Sequence, residues 1–290
     1  MSVIILTKQN KHEYETEKLV EKFLDKDILV RVCFFEKFDI IINEGIYYAG
    51  EKIDLPKAVL VRFGAGIGKK DLSVIRYFEL AKVQCYNSSE SVNTVQDKFY
   101  TGEILSRAGI AVPSTIIVKH PLSNNLVSEH IGFPCIIKVI VGSFGEGVHL
   151  CNSLEDYRRF VEFVNVVYNS KVLIAQEYIG DRPGEDLRVL VIGGKVLGVM
   201  KRTAPDGDFR ANITNGGTGE SFQITPEIAE IAVNAANVLN LDIAGIDLLF
   251  DSRGFRVCEA NSNPGFSGFE KYCDTDVAGA IVAFIESKLN

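Results

Sequence analysis

Gly245-Ile-Asp-Leu-Leu-Phe-Asp-Ser-Arg-Gly-Phe-Arg-Val-Cys-Glu-Ala-Asn-Ser-Asn-Pro-Gly265 carries two apolar runs, Ile246–Phe250 and Phe255–Cys258, on either side of Asp251-Ser252-Arg253-Gly254. Bulky apolar runs around a polar cluster that ends in Gly predict a β-hairpin. With Ser252-Arg253-Gly254 as a three-residue loop and Gly254 left-handed, paired residue numbers sum to 506 and Asp247 stands opposite Glu259. Opposed residues share a face, and Asn261, two beyond Glu259, points the same way. A two- or four-residue loop changes the sum to 505 and separates the carboxylates, so the reading turns on the loop.

Two carboxylates and an amide oxygen on one face repel unless a cation joins them. Hard oxygen donors of this kind suit Mg²⁺ shared with substrate phosphates. The alternative is a hairpin with two acids on its solvent side. Against that, both acids sit inside apolar runs, where an unpaired charge is costly.

At 290 residues and 47% hydrophobic, the chain can bury more than one core. No run of 18 apolar residues predicts a membrane span, and Met1–Thr7 reads as a first buried strand rather than a signal peptide. The six cysteines contain no C-x-x-C pair and lie mostly in apolar runs, which predicts reduced thiols in a reducing compartment, the cytoplasm. The four histidines form no ligand cluster in sequence, and a net charge of −7 argues against a nucleic-acid binder.

The first third alternates strand and helix patterns. Strands are expected at Val3–Leu6, Ile28–Phe35 and Ala58–Phe63, and helices at His12–Lys26 and Asp71–Ala81, which predicts a parallel sheet covered by helices. The Gly/Lys-rich turn Arg62–Lys70 is either an anion site at a helix start or a plain loop, since it lacks the full phosphate-loop spacing. Asn87–Asn93 is polar and turn-like, a lobe boundary. Thr94–Ala108 then reads as a helix carrying Lys98 and ended by Gly109.

Phe133–Ile140 is an apolar strand with Lys138 in its middle, and a lysine there must reach out of the core or meet an anion. Next comes Gly142-Ser143-Phe144-Gly145-Glu146-Gly147 before the strand-like Val148-His149-Leu150. Glycines between two strands make either a mobile lid with exposed amides or an ordinary hairpin, and Lys138 tilts the reading toward a nucleotide. Ser153–Tyr168 is an amphipathic helix with Ser153 as its N-cap, and the strand Val172–Ile179 ends near Glu177. Leu187–Ile192 and Val196–Arg202 are strands joined by Gly193-Gly194, followed by Asp208-Phe209-Arg210-Ala211-Asn212. Arg188, Lys201, Arg202 and Arg210 thus cluster in an acidic chain, either as a solvated strand end or as forks for phosphate and carboxylate. Helices at Thr225–Leu239 and Asp274–Leu289 complete the chain.

Taken together, Asp186-Leu187-Arg188-Val189, Gly207–Asn212, Ala244–Asp247 and Glu259–Gly265 resemble motifs of the ATP-grasp superfamily. The likeness is strongest to the RimK group of glutamate ligases. The tail is also similar to N-acetylaspartylglutamate and β-citrylglutamate synthases. Arg62–Gly66, Asn87–Lys98 and Phe269–Gly279 match as well, so the resemblance covers nearly the whole chain. It implies an α+β / α/β protein of ATP-grasp fold: a small N-terminal domain, 1–93, a central lobe with a glycine-rich lid, 94–185, and a C-terminal lobe with the metal site, 186–290.

By motif position, Lys98, Lys138 and the lid residues Gly142, Ser143, Gly145 and Gly147 would hold ATP phosphates. Glu177 and Tyr178 would line the adenine pocket, with Asp186, Arg210, Ala211 and Asn212 in the same nucleotide site. Asp247, Glu259 and Asn261 would ligate Mg²⁺ or Mn²⁺, two ions being expected. Arg188, Arg202 and Arg210 would face the transferred phosphoryl group and the carboxylate. The implied activity is acyl-phosphate ligation of glutamate to a small acid or to a protein or peptide C terminus, in a homo-oligomer. The alternatives are a ligase for another amino acid or acceptor, and a nucleotide-binding module without chemistry.

Overall fold

The computed structural model describes residues 2–9, 13–64, 66–141, 147–167, 172–206, 208–213 and 216–289. The deciding stretch forms the antiparallel strands Ile243–Asp251 and Gly254–Asn261, and Asp247 pairs with Glu259. It does so by a different route from the one expected. Asp251 opposes Gly254 and Phe250 opposes Phe255, so the loop is the two-residue Ser252-Arg253 and the sum beside it is 505. The register then shifts: Leu248 opposes Val257 while Asp247 opposes Glu259, leaving Cys258 as an unpaired bulge residue. Without that bulge Glu259 would face Ile246 on the other side of the sheet. Loop and bulge are each one residue off the expected hairpin, and the two offsets cancel.

This hairpin closes a five-stranded sheet in the order Thr218–Phe222, Lys195–Thr203, Glu185–Ile192, Ile243–Asp251, Gly254–Asn261. One face is apolar where it meets a helix and ends in the ion pairs of Lys201 with Glu185 and Glu220. Leu187, Val189, Val191, Ile246 and Leu248 pack there against Ile228, Ala232 and Ala236 of the helix Pro226–Val238, whose Thr225 side chain caps its start. The opposite face changes character along its length. At one end Leu190, Ile192 and Met200 are buried under Phe266, Phe269 and the C-terminal helix Val277–Leu289. At the other end the same strands present Asp186, Arg188, Arg202 and Asp247.

A second sheet, antiparallel, has the order Val148–Cys151, Cys135–Val139, Leu173–Glu177, Thr115–Ile117, and is backed by the amphipathic helix Leu154–Val167. The N-terminal sheet is parallel, as expected, in the order Leu29–Phe34, Ser2–Thr7, Ala58–Val61, Gln84–Tyr86. Val3 and Ile5 pack on the Glu13–Leu24 helix side, and Ile4 and Leu6 on the Lys69–Leu80 helix side. A three-stranded antiparallel ribbon, Phe38–Ile41, Gly45–Tyr48 and Glu51–Lys52, is an addition to the expected elements. Among the described residues no helix is long and apolar enough to cross a membrane.

One expectation needs correcting. The helix Thr94–Ala108 is two helices, Ser89–Val95 and Lys98–Arg107, because the Asp97 carboxylate accepts from Tyr100 N at 2.8 Å and starts a new helix. The anion site at the start of Lys69–Leu80 is filled from within: Asp71 accepts from Gly68 N at 3.0 Å and pairs with Lys8 at 3.1 Å. Arg62 is buried instead, donating to Pro264 O at 3.2 Å. The polar Asn87–Asn93 segment is firmly held at its start. Asn87 is 1% exposed, donates to Ile243 O and Ser262 O at 2.7 Å each, and accepts from Asp242 N and Ile243 N at 2.7 and 3.1 Å.

All four hydrogen-bonding positions of that amide are used, across a junction that holds the late hairpin to the N-terminal sheet. Asn87→Ala would leave buried backbone groups on the C-terminal side without partners. We expect it to lower the unfolding free energy by about 3 kcal/mol, read by urea denaturation. A loss below about 1 kcal/mol would mean that the junction does not depend on this residue.

Candidate functional site

The charged end of the five-stranded sheet is organised by register. Arg188 opposes Asp247 and Asp186 opposes Arg202 on neighbouring strands. Arg188 grips Asp247 through both Nε and Nη2, the latter at 2.7 Å from Oδ2. Arg202 binds Asp186 with two contacts of 2.6 Å and reaches Asp247 at 2.9 Å. Two guanidiniums and two carboxylates therefore alternate across three strands, with Arg202 4% and Asp247 5% exposed. Fork-to-fork geometry satisfies several lone pairs at once, which makes such burial tolerable.

The network shifts its acids in opposite directions. Burial pushes the Asp247 carboxyl up, but Arg188 and Arg202 outweigh it and hold Asp247 below the usual carboxylate range. Asp186 is raised, because its burial outweighs the Arg202 contact. Nearby, Lys98, at the first position of its helix, pairs with Glu259 at 3.1 Å.

These groups, Arg188 excepted, line one cleft of about 150 Å³ between the second sheet and the five-stranded sheet. It brings together Lys98, Lys138, Glu177, Tyr178, Asp186, Arg202, Arg210, Ala211, Asn212, Asp247 and Glu259. Lys138 is 6% exposed, and no carboxylate lies within ion-pairing distance of it among the described residues. A buried ammonium so placed calls for an anionic ligand. Arg210 bonds to Asp208 at 2.7 Å and draws the Asp208 carboxyl down to about 2. The Glu177 carboxylate is engaged by Arg256 at 2.7 Å and by Ser114 N at 3.1 Å. Tyr178 meets Phe209 edge-on, with centroids 6.5 Å apart.

Other expected site residues lie elsewhere. Arg188 and Asn261 stand beside Asp247 but do not line the cleft, and the Asn261 side-chain nitrogen donates to Gly245 O at 3.4 Å. Gly147, with φ +69°, precedes the edge strand and is also outside the lining. Gly142, Ser143 and Gly145 fall outside the described residues. The cleft also uses residues that the sequence reading missed: Ile136, Gln176, Ile179, Arg182, Phe209, Leu249 and Cys258. Phe209 lies inside a quoted motif, and Gln176 is a polar residue in an apolar strand, so both carried a signal. Cys258 carried none, since it reaches the cleft as the bulge residue.

Comparison with known proteins agrees with this geometry. A family model described as the RimK-like ATP-grasp domain matches residues 95–285, and the RimK PreATP-grasp domain matches 1–92. The chain belongs to the RimK-like ATP-grasp family. A relative from Coxiella burnetii named probable alpha-L-glutamate ligase is 40% identical over 83% of this chain and 80% of its own. One of the same name from Aeromonas salmonicida is 36% identical over 99% of this chain and 97% of its own. The ATP-grasp ligase PsnB, complexed with a phosphomimetic variant of minimal precursor, Mg and ADP, superposes with a TM-score of 0.78 at 20% identity, covering 99% of this chain and 98% of that one. VanG D-Ala:D-Ser ligase from Enterococcus faecalis gives 0.76 at 17% identity, covering 100% and 99%. The RimK-like chain thus has the ATP-grasp fold and is a carbon–nitrogen ligase.

In Arg202→Gln the Asp186 carboxylate loses its guanidinium while still buried. We expect a destabilisation of about 3–5 kcal/mol at pH 7. The raised carboxyl pKa in the folded variant makes the penalty full above that pKa and smaller as pH falls through it. Thermal melts at pH 7 and pH 5 should therefore show the deficit narrowing in acid.

Proposed function

We propose that this protein is an ATP-dependent carboxylate–amine ligase that joins L-glutamate to an acid through an acyl phosphate, releasing ADP and phosphate. The acceptor is a small acid or the C terminus of a protein or peptide. The observation that carries the reading is the buried Lys138, with no carboxylate in ion-pairing distance among the described residues, facing a cleft whose other wall is the Asp186–Arg202–Asp247 network and Glu259. The glutamate ligase names of the full-length relatives support the choice of amino acid. Residues 1–93, 94–185 and 186–290 serve as N-terminal domain, central lobe and C-terminal lobe, a division supported by the sheets falling within those ranges almost without overlap. Six free cysteines favour a reducing compartment, the cytoplasm.

A carboxylate is a poor electrophile, and a phosphoryl donor approaching it meets like charge. Lys98 and Lys138 neutralise the donor's phosphates from one wall. Arg202 and Arg210 lie where charge builds on the transferred group, while Arg188, beside the cleft, orients Asp247 and the acid. Tyr178, with Phe209, packs the base, and backbone groups near Glu177 and Tyr178 meet its polar edge. Asp186 keeps Arg202 oriented, and Ala211 and Asn212 border the same nucleotide. Closure over the cleft excludes water until the amine attacks.

The donor set fits a hard divalent cation: Asp247 and Glu259 face each other across the register and line the cleft, and the Asn261 oxygen is left over when its nitrogen turns to Gly245. Bound Mg²⁺ or Mn²⁺ would supply charge neutralisation to the terminal phosphates. No nucleophilic side chain is needed.

Incubation with ATP, Mg²⁺, glutamate and a panel of acids, read by mass spectrometry, tests the reading. The expected product is an acid extended by glutamate, with ADP release that requires both substrates. ADP release indifferent to either one would sink it. Asp247→Asn and Glu259→Gln should each lower turnover by ~10²–10³ while circular dichroism stays native.

A further inference from the structure

Away from the cleft, a second cluster has the chemistry of a metal site. The strand Val148–Cys151 is the edge of the central sheet, and His149 and Cys151, two apart, share its face toward the helix Leu154–Val167. The His149 ring stacks on Phe160, centroids 4.2 Å apart and planes 10° from parallel. That contact sets the ring plane and leaves Nε2 3.9 Å from Asp156 Oδ1 in the first turn of the helix. Asp156 is itself held in place by the Asn152 N–H at 2.9 Å. One ligand atom from each of His149, Cys151 and Asp156 lies within 4.8 Å of the other two. Cys135 stands directly across from Cys151 on the neighbouring strand, and both are fully buried.

We propose that His149, Cys151 and Asp156 form a Zn²⁺ site whose fourth tetrahedral position is left to solvent. Thiolate, imidazole and carboxylate together are a zinc donor set, whereas the all-oxygen set of the cleft suits Mg²⁺, so the two sites select different ions. Zinc–ligand lengths of about 2.0–2.3 Å put the donors of a tetrahedral shell about 3.3–3.8 Å apart. The spread here closes to that by small rotations of His149 and Asp156, whose side chains are 44% and 39% exposed and also give the ion its way in. On binding, the Cys151 thiol passes its proton to solvent as its sulfur takes the metal, one proton leaving for one Zn²⁺. The ion would tie an edge strand to the helix behind it, in the lobe that carries Lys138.

The test uses the full-length protein stripped with a chelator and titrated with Co²⁺ in the absence of nucleotide, so its result does not depend on the ligase reading. Expected are a near-ultraviolet thiolate-to-cobalt band and visible bands of tetrahedral intensity, saturating at one equivalent and displaced by Zn²⁺. Cys151→Ser should abolish the near-ultraviolet band. His149→Ala and Asp156→Asn, which alter solvent-exposed side chains, should each weaken binding by at least about tenfold. Zn²⁺ should raise the melting temperature of the wild type and not that of His149→Ala. Absence of the thiolate band, or a band unchanged in His149→Ala or in Cys151→Ser, overturns the site.

Discussion

Four charges alternating across three strands, three of them buried, set the terms for the rest of the molecule. Asp186, Arg202, Asp247 and Arg188 are affordable inside a sheet only because each guanidinium fork meets a carboxylate fork from the adjacent strand. That requires the strands to be in register to the residue. The register is held from below by the apolar cluster packed on the Pro226–Val238 helix, where a one-residue slip would turn Leu187, Val189, Ile246 and Leu248 away from it. Hydrophobic packing on one side thus positions charge on the other.

The same upper face illustrates how a fold divides work along a strand. Leu190, Ile192 and Met200 continue the lines of Asp186, Arg188 and Arg202, yet they are covered by Phe269 and the C-terminal helix. Where that cover ends, the charged half begins, and the central lobe rather than a helix lies opposite it. The cleft is the gap left between the two sheets, walled by a buried lysine on one side and the charge network on the other. The N-terminal sheet joins this arrangement through Asn87 and Arg62, whose hydrogen bonds end on backbone of the late hairpin and its exit loop.

Much of this was legible from residues. Parallel strands in the first third, Lys138 inside an apolar strand, the Gly193-Gly194 hairpin and the Thr225 cap all follow from local pattern, because period and capping chemistry act over a few residues. The two-helix break at Asp97 was legible in principle, since an aspartate three residues before Tyr100 is a cap signal that the longer helical period masked. The clustering of Lys98, Glu177, Asp186 and Arg210 was carried by resemblance of motifs rather than by spacing. The side-chain partners were not legible: that Glu177 is held by Arg256, or Arg210 by Asp208, depends on which rotamers the packed lobes leave open.

By itself the sequence determined the elements, the apolar faces and the kinds of group at the site, because these depend on propensity, periodicity and composition within short windows. Only the tertiary structure decided which groups meet. The hairpin shows why: a two-residue loop and a bulge at Cys258 each shift the pairing by one, and only their combination puts Asp247 opposite Glu259. Residue spacing records neither offset, since a bulge is settled by how neighbouring strands and helices pack against both faces at once.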